Sequence, residues 1–536
     1  MLDFHGMLIR SALCFLLLAV LATAAFAKPP MVLRIGNGTE PKGIDPHAVS
    51  GMPEHHILTA LFEGLLTIDP KDLHPIPGLA HKWDISDDGL VYTFHLRPGL
   101  KWSDGAPITS DDFVQSYKRM LSSSIASEYA NMLYDYVERA LAYYKGEQKD
   151  FSKVGFKAVD PLTLEVRLLH PTPFLLKIIA CHYAWFAIPT KVVEKYGPID
   201  SRNTDWTKPG RFVGSGPFML KEWLPNQKLV VVRNPNYWDA ANVKLDVVEF
   251  HATEDLNNEE RMFRSGQLDK TNELPISKID VYRKKYPESF QTGPFLAVYF
   301  YRCNVTKPPL NDKRIRKALA LAVNRESLVK NVTRAGQIPA YALSYPGTAG
   351  YAPRAKLEGG VAEAKRLLAE AGFPNGKGLP PIALLYNTHD GHRAIAEAVQ
   401  AMWRNQLGAE ITLQNQEWTV YQDSQITLNY QMARAGWVAD YVDPNTFLEI
   451  WTTWNGNNQT GWSNAEYDRL FQASLAAKTD TERFEIYQKM DAILVDECPI
   501  IPIYHYTRPF ALNPKVKGLH PNLLDQHNYK YITIED

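Results

Sequence analysis

Cysteine is scarce. There are four in 536 residues: Cys14 inside an N-terminal apolar segment, then only Cys181, Cys303 and Cys498. An odd number at wide spacings supports neither a disulfide framework nor a metal-ligand pattern, and leaves either one bridge or three buried thiols. Long apolar runs are lacking beyond that first segment, so no transmembrane helix is predicted. Charge of one sign is lacking too: 58 basic and 59 acidic residues give a net −1 with no basic stripe, which argues against a nucleic-acid partner. Catalytic signatures are missing. There is no GxSxG elbow and no HExxH. "GFPNGKG" (residues 372–378) is one residue short between its glycines for a phosphate loop and puts Gly378 where Ser or Thr should hold magnesium, so it reads as a helix end and turn. His55-His56 and His389/His392 have no carboxylate or cysteine pattern to complete a metal site. The pairs Asp111-Asp112 and Glu259-Glu260 read as solvated faces. Neither an enzyme nor a cofactor or metal is expected.

What is present begins at Arg10, followed by "SALCFLLLAVLATAAFA". The run is short for a membrane span and ends in small residues, with Ala25-Phe26-Ala27 as an A-x-A cleavage site; this predicts a secretory signal peptide, residues 1–27, cleaved after Ala27. Leu13 before Cys14 does not suit a lipoprotein site, so a soluble exported protein is expected. The remainder is about three typical domains long. Trp and Tyr are plentiful, at 12 and 27, from aromatic cores or aromatic-lined surfaces.

Along the chain, "VYTFHLRPGLKWSDG" (residues 91–105) alternates and then turns, and predicts a strand leaving through a loop. Thr109 with Asp112 forms a capping pair for the helix "DDFVQSYKRML". "LTLEVRLL" and "KLVVVRNPNYW" are further strands, the second stopping at Asn234-Pro235. "DKRIRKALALAVNRESLV" puts Ile315, Ala318, Leu319 and Ala322 on one helical face, and "VAEAKRLLAEAGFPNG" is a helix closed by Gly372 and Pro374. Then "IALLYN", the helix "HRAIAEAVQAMWRNQLG" with Ile395, Ala398, Val399 and Met402 facing in, and "EITLQN" make a βαβ unit, whose two strands should be parallel. The fold class is mixed α/β, in at least two lobes.

One stretch concentrates chemistry. "ARAGWVADYVDP" (residues 433–444) sets Arg434, Trp437 and Asp440 within a few residues. An aspartate beside an indole suits an ammonium, by charge and by a cation–π contact, and an arginine suits a carboxylate. The plainer reading is that Arg434 and Asp440 pair with each other or with neighbours. Ligands of open α/β sheets sit at the carboxyl ends of strands, so "YNTHDGH" (residues 386–392) and "RAGWVAD" should line one cleft.

"GIDPHAVSGMPEHHILTALFEGLL", "PGLAHKW", "YTFHLRPGLKWSDGAPITSDDFV", "NPNYWDA", "LLYNTHDGH", "NQEW", "ARAGWVADY" and "IIPIYHY", in this order and spacing, resemble the periplasmic oligopeptide-binding proteins that feed bacterial ABC importers. The resemblance covers nearly the whole mature chain. It implies a periplasmic-binding-protein fold with an inserted domain: residues 28–62, 191–296 and 508–536 as lobe I, 63–190 as the inserted domain II, and 297–507 as lobe III. It implies that a short peptide lies extended between lobes I and III, pairing with backbone like an added strand. Carried over, Asp440 holds the α-ammonium, with Trp437 and Arg434 beside it; Arg434 serves the carboxylate of a short peptide and His392 that of a longer one. Ser50, Gly51 and Met52 offer backbone from lobe I, Trp418 is a side-chain pocket wall and Tyr506 lines the cleft. Ser50 departs from an acidic residue, Ala297 and Val438 stand where some members carry a disulfide, and Gln425 stands where a second arginine would grip the C-terminus. The partners implied are short peptides and the membrane permease subunits of an importer, with a monomer as the expected state. A murein-peptide specialist and a periplasmic chaperone are the other readings. A hinge is expected near residues 296 and 507.

Overall fold

The computed structural model describes residues 29–535; the expected signal peptide and its cleavage site lie outside them. Three sheets organise the chain. The first runs Val32–Gly36, Val247–His251, Lys228–Arg233, Phe218–Leu224 across its width, parallel only in the first pair. The second is antiparallel, in the order Ala80–Ile85, Val91–Leu96, Thr163–Arg167, Phe156–Asp160. Alternation decides its inner face: Tyr92, Phe94 and Leu96 are buried while Val91, Thr93 and His95 are not. Next to it the helix Ser110–Met120 begins as the capping pair requires, with Asp112 accepting from the Thr109 N–H at 2.7 Å.

The third sheet positions the site. Its six strands lie in the order Ile338–Pro339, Ile500–Thr507, Pro294–Cys303, Met432–Val438, Ile382–Asn387, Ile411–Gln416. Pro294–Cys303 is buried on both faces after its first residue, as its continuous apolar run demands. Ile382–Asn387 and Ile411–Gln416 are parallel, Ile382 opposite Ile411 through Asn387 opposite Gln416, across the connecting helix Asp390–Leu407. That helix is turned from the expected face. Ile395 and Val399 are buried, but Ala398 and Met402 are only partly so; Ala396, Trp403 and Leu407 complete the inner stripe. The Trp403 indole sets the rotation, because its N–H donates to the Leu319 carbonyl at 2.8 Å. The face Ile315, Ala318, Leu319, Ala322 is buried on Lys313–Leu321 and the residue after it.

Two further readings are settled. Cys181, Cys303 and Cys498 are three buried free thiols, each pushed up to about 12 by burial. Glu259 and Glu260 are not solvated: both are buried where Leu256–Arg264 packs against the chain that follows it. Glu260 accepts from Tyr282 Oη at 3.2 Å and pairs with Arg264 at 3.1 Å, while burial raises Glu259 to about 7. No described helix is long and apolar enough to cross a membrane.

Candidate functional site

The cleft is formed where the strand Met432–Val438 loses a neighbour. Along one edge it pairs with Pro294–Cys303 from Cys303 opposite Met432 to Ala297 opposite Val438. Along the other, Ile382–Asn387 pairs only with Met432 and Ala433. Beyond Ala433 no strand among the described residues covers that edge. Backbone groups alternate between the edges. The Ala439 N–H donates inward to the Leu296 carbonyl at 2.8 Å, whereas the Arg434 carbonyl points outward and accepts from Tyr421 Oη. Gly436 and Val438 share Arg434's parity, so their N–H and C=O groups face outward as well. An unpaired edge of this kind accepts an added strand.

A cavity of about 320 Å³ lies along this edge. Its walls bring together all nine candidate residues: Ser50, Gly51, Met52, His392, Trp418, Arg434, Trp437, Asp440 and Tyr506. The "YNTHDGH" segment at the end of its strand and "RAGWVAD", which is itself mostly strand, meet there.

Asp440 and Arg434 do not pair with each other. The Asp440 side chain is buried, its N–H donating to Thr446 Oγ1 at 3.0 Å and its Oδ1 lying 3.4 Å from His182 Nε2. The proton on that histidine is placed by its other nitrogen: Nδ1 accepts from the Ala184 N–H at 3.1 Å, so neutral His182 carries its hydrogen on Nε2, towards Asp440. Burial, then the charge of His55, holds His182 well below the usual histidine range and therefore neutral. Asp440 Oδ2 has no hydrogen-bond partner. Burial first, and the nearby Glu449 carboxyl second, push the Asp440 pKa well above the ordinary carboxylate range, with the neighbouring Tyr129 hydroxyl opposing them only in part. An ammonium on Oδ2 would answer both causes. Trp437 stands beside it, its N–H 3.3 Å from the same Thr446 hydroxyl and its ring 6.5 Å from that of Tyr129.

Arg434 donates to Tyr506 Oη at 2.7 Å and to Asn387 Oδ1 at 3.4 Å, and its guanidinium lies 4.9 Å from the Tyr299 ring centroid. Its Nη2 comes within 3.4 Å of the place a Gly436 Cβ would take, so the charge folds back along the strand toward Asp440. His392 is buried and stacked on His389 at 4.3 Å. Burial, then the charges of Arg434 and His389, keep it well below the usual histidine range, so it enters the cavity as a neutral imidazole.

The opposite wall starts at Gly51, which caps the helix Met52–Leu61 with φ 128 and ψ 158, a conformation reserved for glycine. A Cβ there would lie 2.5 Å from Glu54 Oε2 and 3.4 Å from the Trp418 ring, which reaches across from the other lobe. The two walls also touch through Gln422 Nε2 on the Ser50 carbonyl (3.1 Å), Lys42 on Asp423 (2.5 Å), Asn257 on Asp390 (3.0 Å) and His389 on Glu273 (3.5 Å). The Ser50 carbonyl is thus engaged by protein, and a ligand would have to share or displace Gln422. Ala297 and Val438 face each other in the ladder without sulfur.

Sequence reasoning missed His182 and Tyr129, which enclose Asp440 from residues far along the chain, and Arg302 in the cavity wall; no local motif marks any of them. Among the described residues only Asp69, Asp72 and His74 bring three potential metal ligands together, on an exposed turn where His74 Nδ1 already pairs with Asp72 at 2.5 Å.

A cavity between two walls, with a bare strand edge and a buried carboxylate oxygen left without a partner, fits the class of solute-binding proteins. The model of the bacterial extracellular solute-binding proteins, family 5 (middle region), matches residues 74–459, and the chain belongs to that family. It is 37% identical over 90% of its length, and 88% of the relative's, to the periplasmic oligopeptide-binding protein OppA of Salmonella typhimurium. Haemophilus influenzae OppA, solved in complex with RPPGFSPFR, superposes with a TM-score of 0.88 at 32% identity, covering 95% of this chain and 100% of that one. The Escherichia coli murein tripeptide-binding protein MppA reaches 0.89 at 34% identity over 94% of this chain and 99% of its own. The unliganded open form of MppA reaches only 0.64, over 94% and 98%. The two MppA structures share one sequence, so their scores differ by conformation, and the present arrangement is nearer to the peptide-bound Haemophilus structure than to the open form.

Proposed function

We propose that this protein captures short peptides by their free amino end, in extended conformation, and delivers them to the permease of an ABC importer. The observation that carries this reading is the unpaired carboxylate of Asp440 at the end of the bare strand edge 434–438. The edge supplies hydrogen bonds that are the same for every peptide, and the carboxylate supplies the fixed end. Arg434, folded back over Gly436, receives the carboxylate of a short peptide, and His392 the end of a longer one. Lobe I and lobe III close about the two chain crossings, which are neighbours: Pro294 pairs with Thr507, and Arg508 N–H donates to the Gly293 carbonyl at 3.1 Å. The protein works as a monomer in the periplasm after cleavage of residues 1–27.

The likeness to MppA gives a second reading, a murein-peptide specialist. Calorimetry with a peptide, its N-acetylated form and a murein tripeptide tests both. Tight binding of the free peptide and loss on acetylation is the expected result. Equal binding of the acetylated peptide overturns the assignment of Asp440, and binding of the murein tripeptide alone selects the specialist.

A further inference from the structure

Arg302 is the least explained charge in the cavity wall. It lies on Pro294–Cys303 opposite Ala433, and is 5% exposed. Its neighbours are neutral: Nη1 donates to Gln425 Oε1 at 2.7 Å and to Gln459 Oε1, and Nη2 donates to the Asn457 carbonyl at 3.0 Å. No described carboxylate comes within ion-pairing distance. A guanidinium has five N–H groups. Three are used, leaving one on Nη2 and the one on Nε, which has no partner although buried. These two belong to adjacent nitrogens and form a fork whose spacing matches the two oxygens of a carboxylate. Burial weighs most against a cation here, and Arg434 across the wall adds to it, while the hydroxyls of Tyr430 and Tyr421 offset part of that cost. A buried, uncompensated charge is costly unless something pairs with it. The position also bears on Gln425. Where the resemblance calls for a second arginine, this chain has an amide, and that amide holds the guanidinium of Arg302, supplied by another strand.

We propose that Arg302 forms a carboxylate subsite that this chain adds to the cleft, so that the preferred ligand carries a second negative group, an acidic side chain or the terminal carboxylate, at its level. The inference rests on the peptide-binding reading above. The plain structural alternative is that Arg302 only ties the 457–459 loop to the sheet.

Calorimetry with alanine-based tetrapeptides separates these. One arm swaps Glu for Gln at each position in turn; the other compares a free with an amidated carboxyl terminus. The expected result is that the carboxylate member of at least one pair binds about tenfold to a hundredfold tighter. Arg302→Met should erase that preference, so that the two members of the pair bind alike. Gln425→Glu should erase it as well, by giving Arg302 an internal counter-ion without removing it, which covers the case of Arg302→Met failing to fold. Which arm discriminates identifies the source of the carboxylate. The proposal is overturned if no pair discriminates, or if the preference survives both substitutions. If none of the peptides binds, the broader reading fails instead.

Discussion

Asp440→Asn isolates the charge of the site while keeping its shape. In the ligand-free protein the carboxylate is buried, one oxygen faces the neutral His182 N–H at 3.4 Å, and the other has no partner. Its ionised form is opposed by burial and by Glu449. The amide removes that cost, so the melting temperature of the free protein should hold or rise. Binding should move the other way. A charge pair at contact distance is worth about 4 kcal/mol at an effective dielectric near 20, and removing one partner of a buried, hydrogen-bonded pair costs about 2–5 kcal/mol. That is roughly thirtyfold to several thousandfold in Kd. The pH dependence supplies a second check. Burial in the closed cleft raises the Asp440 pKa, and a bound ammonium lowers it below its value in the unliganded protein, so binding releases a proton when the pH lies between the unliganded and bound values. Affinity should therefore weaken as pH falls through the unliganded value, by up to about tenfold per pH unit. In Asp440→Asn this slope should vanish. Calorimetry in buffers of different ionisation enthalpy reads both the affinity and the released proton. Unchanged affinity, or an unchanged pH slope, refutes the reasoning.

Three other outcomes follow from the same structure. Glu449 is buried, raised to about 7 by burial, and accepts from Tyr136 Oη at 2.7 Å and Tyr441 Oη at 3.0 Å. Glu449→Gln removes a charge that disfavours ionised Asp440 only above about pH 7, where Glu449 is itself ionised, so the affinity–pH curve should change above that pH and keep its acid limb. Gly51→Ala places a side chain in a glycine-only conformation against Glu54 and Trp418, costing about 1–3 kcal/mol of stability, and should weaken peptide binding through the closed state; thermal melts and calorimetry measure the two effects. Trp403→Ala empties a fully buried position and removes the bond to Leu319, so urea unfolding should show a loss of about 3–5 kcal/mol with peptide affinity retained in the folded fraction.

What the sequence discloses follows the range of the forces involved. The βαβ unit from Ile382 to Gln416 was legible because each element carries its own period and its own stops, with Gly408 ending the helix at φ 66. The cap at Thr109 is local for the same reason. Arg434, Trp437 and Asp440 stood out through proximity in the chain, although their neighbours did not. His182 lies some 258 positions before Asp440, a separation at which periodicity says nothing. Glu259 and Glu260 looked solvated because an acidic pair on a short amphipathic helix usually is; their burial depends on chain packed against that helix later. Arg302 was invisible for a subtler reason. Its strand reads as apolar, and what distinguishes it is the absence of an acid around it, a property of the fold.

That absence bears on how closure is made to depend on ligand. The contacts holding the two walls together are of two kinds: exposed pairs such as Lys42–Asp423, whose side chains are 27% and 60% exposed and which contribute about 0–1 kcal/mol, and buried ones such as Tyr136 Oη on Glu449 at 2.7 Å and Asn457 Nδ2 on the Glu128 carbonyl at 3.1 Å. Inside, closure strips water from Asp440, whose Oδ2 then has no partner, and from Arg302, whose Nε–H has none. Each loses hydration without compensation from the protein, at a cost of about 1–3 kcal/mol or more per charged group. Without ligand, these losses count against the closed form. A peptide reverses the balance at the places where it is unfavourable, its ammonium meeting Asp440 and its carboxylate a guanidinium. Only differential contacts of this kind can shift such an equilibrium. The charges left unpaired by the protein are thus what make the closed shape report the presence of a ligand. The same argument predicts that the Asp440→Asn and Gln425→Glu double variant, with both costs removed, should populate the closed form without peptide. Small-angle scattering of the ligand-free variant would show a smaller radius of gyration than wild type, and an unchanged radius would sink this account of closure.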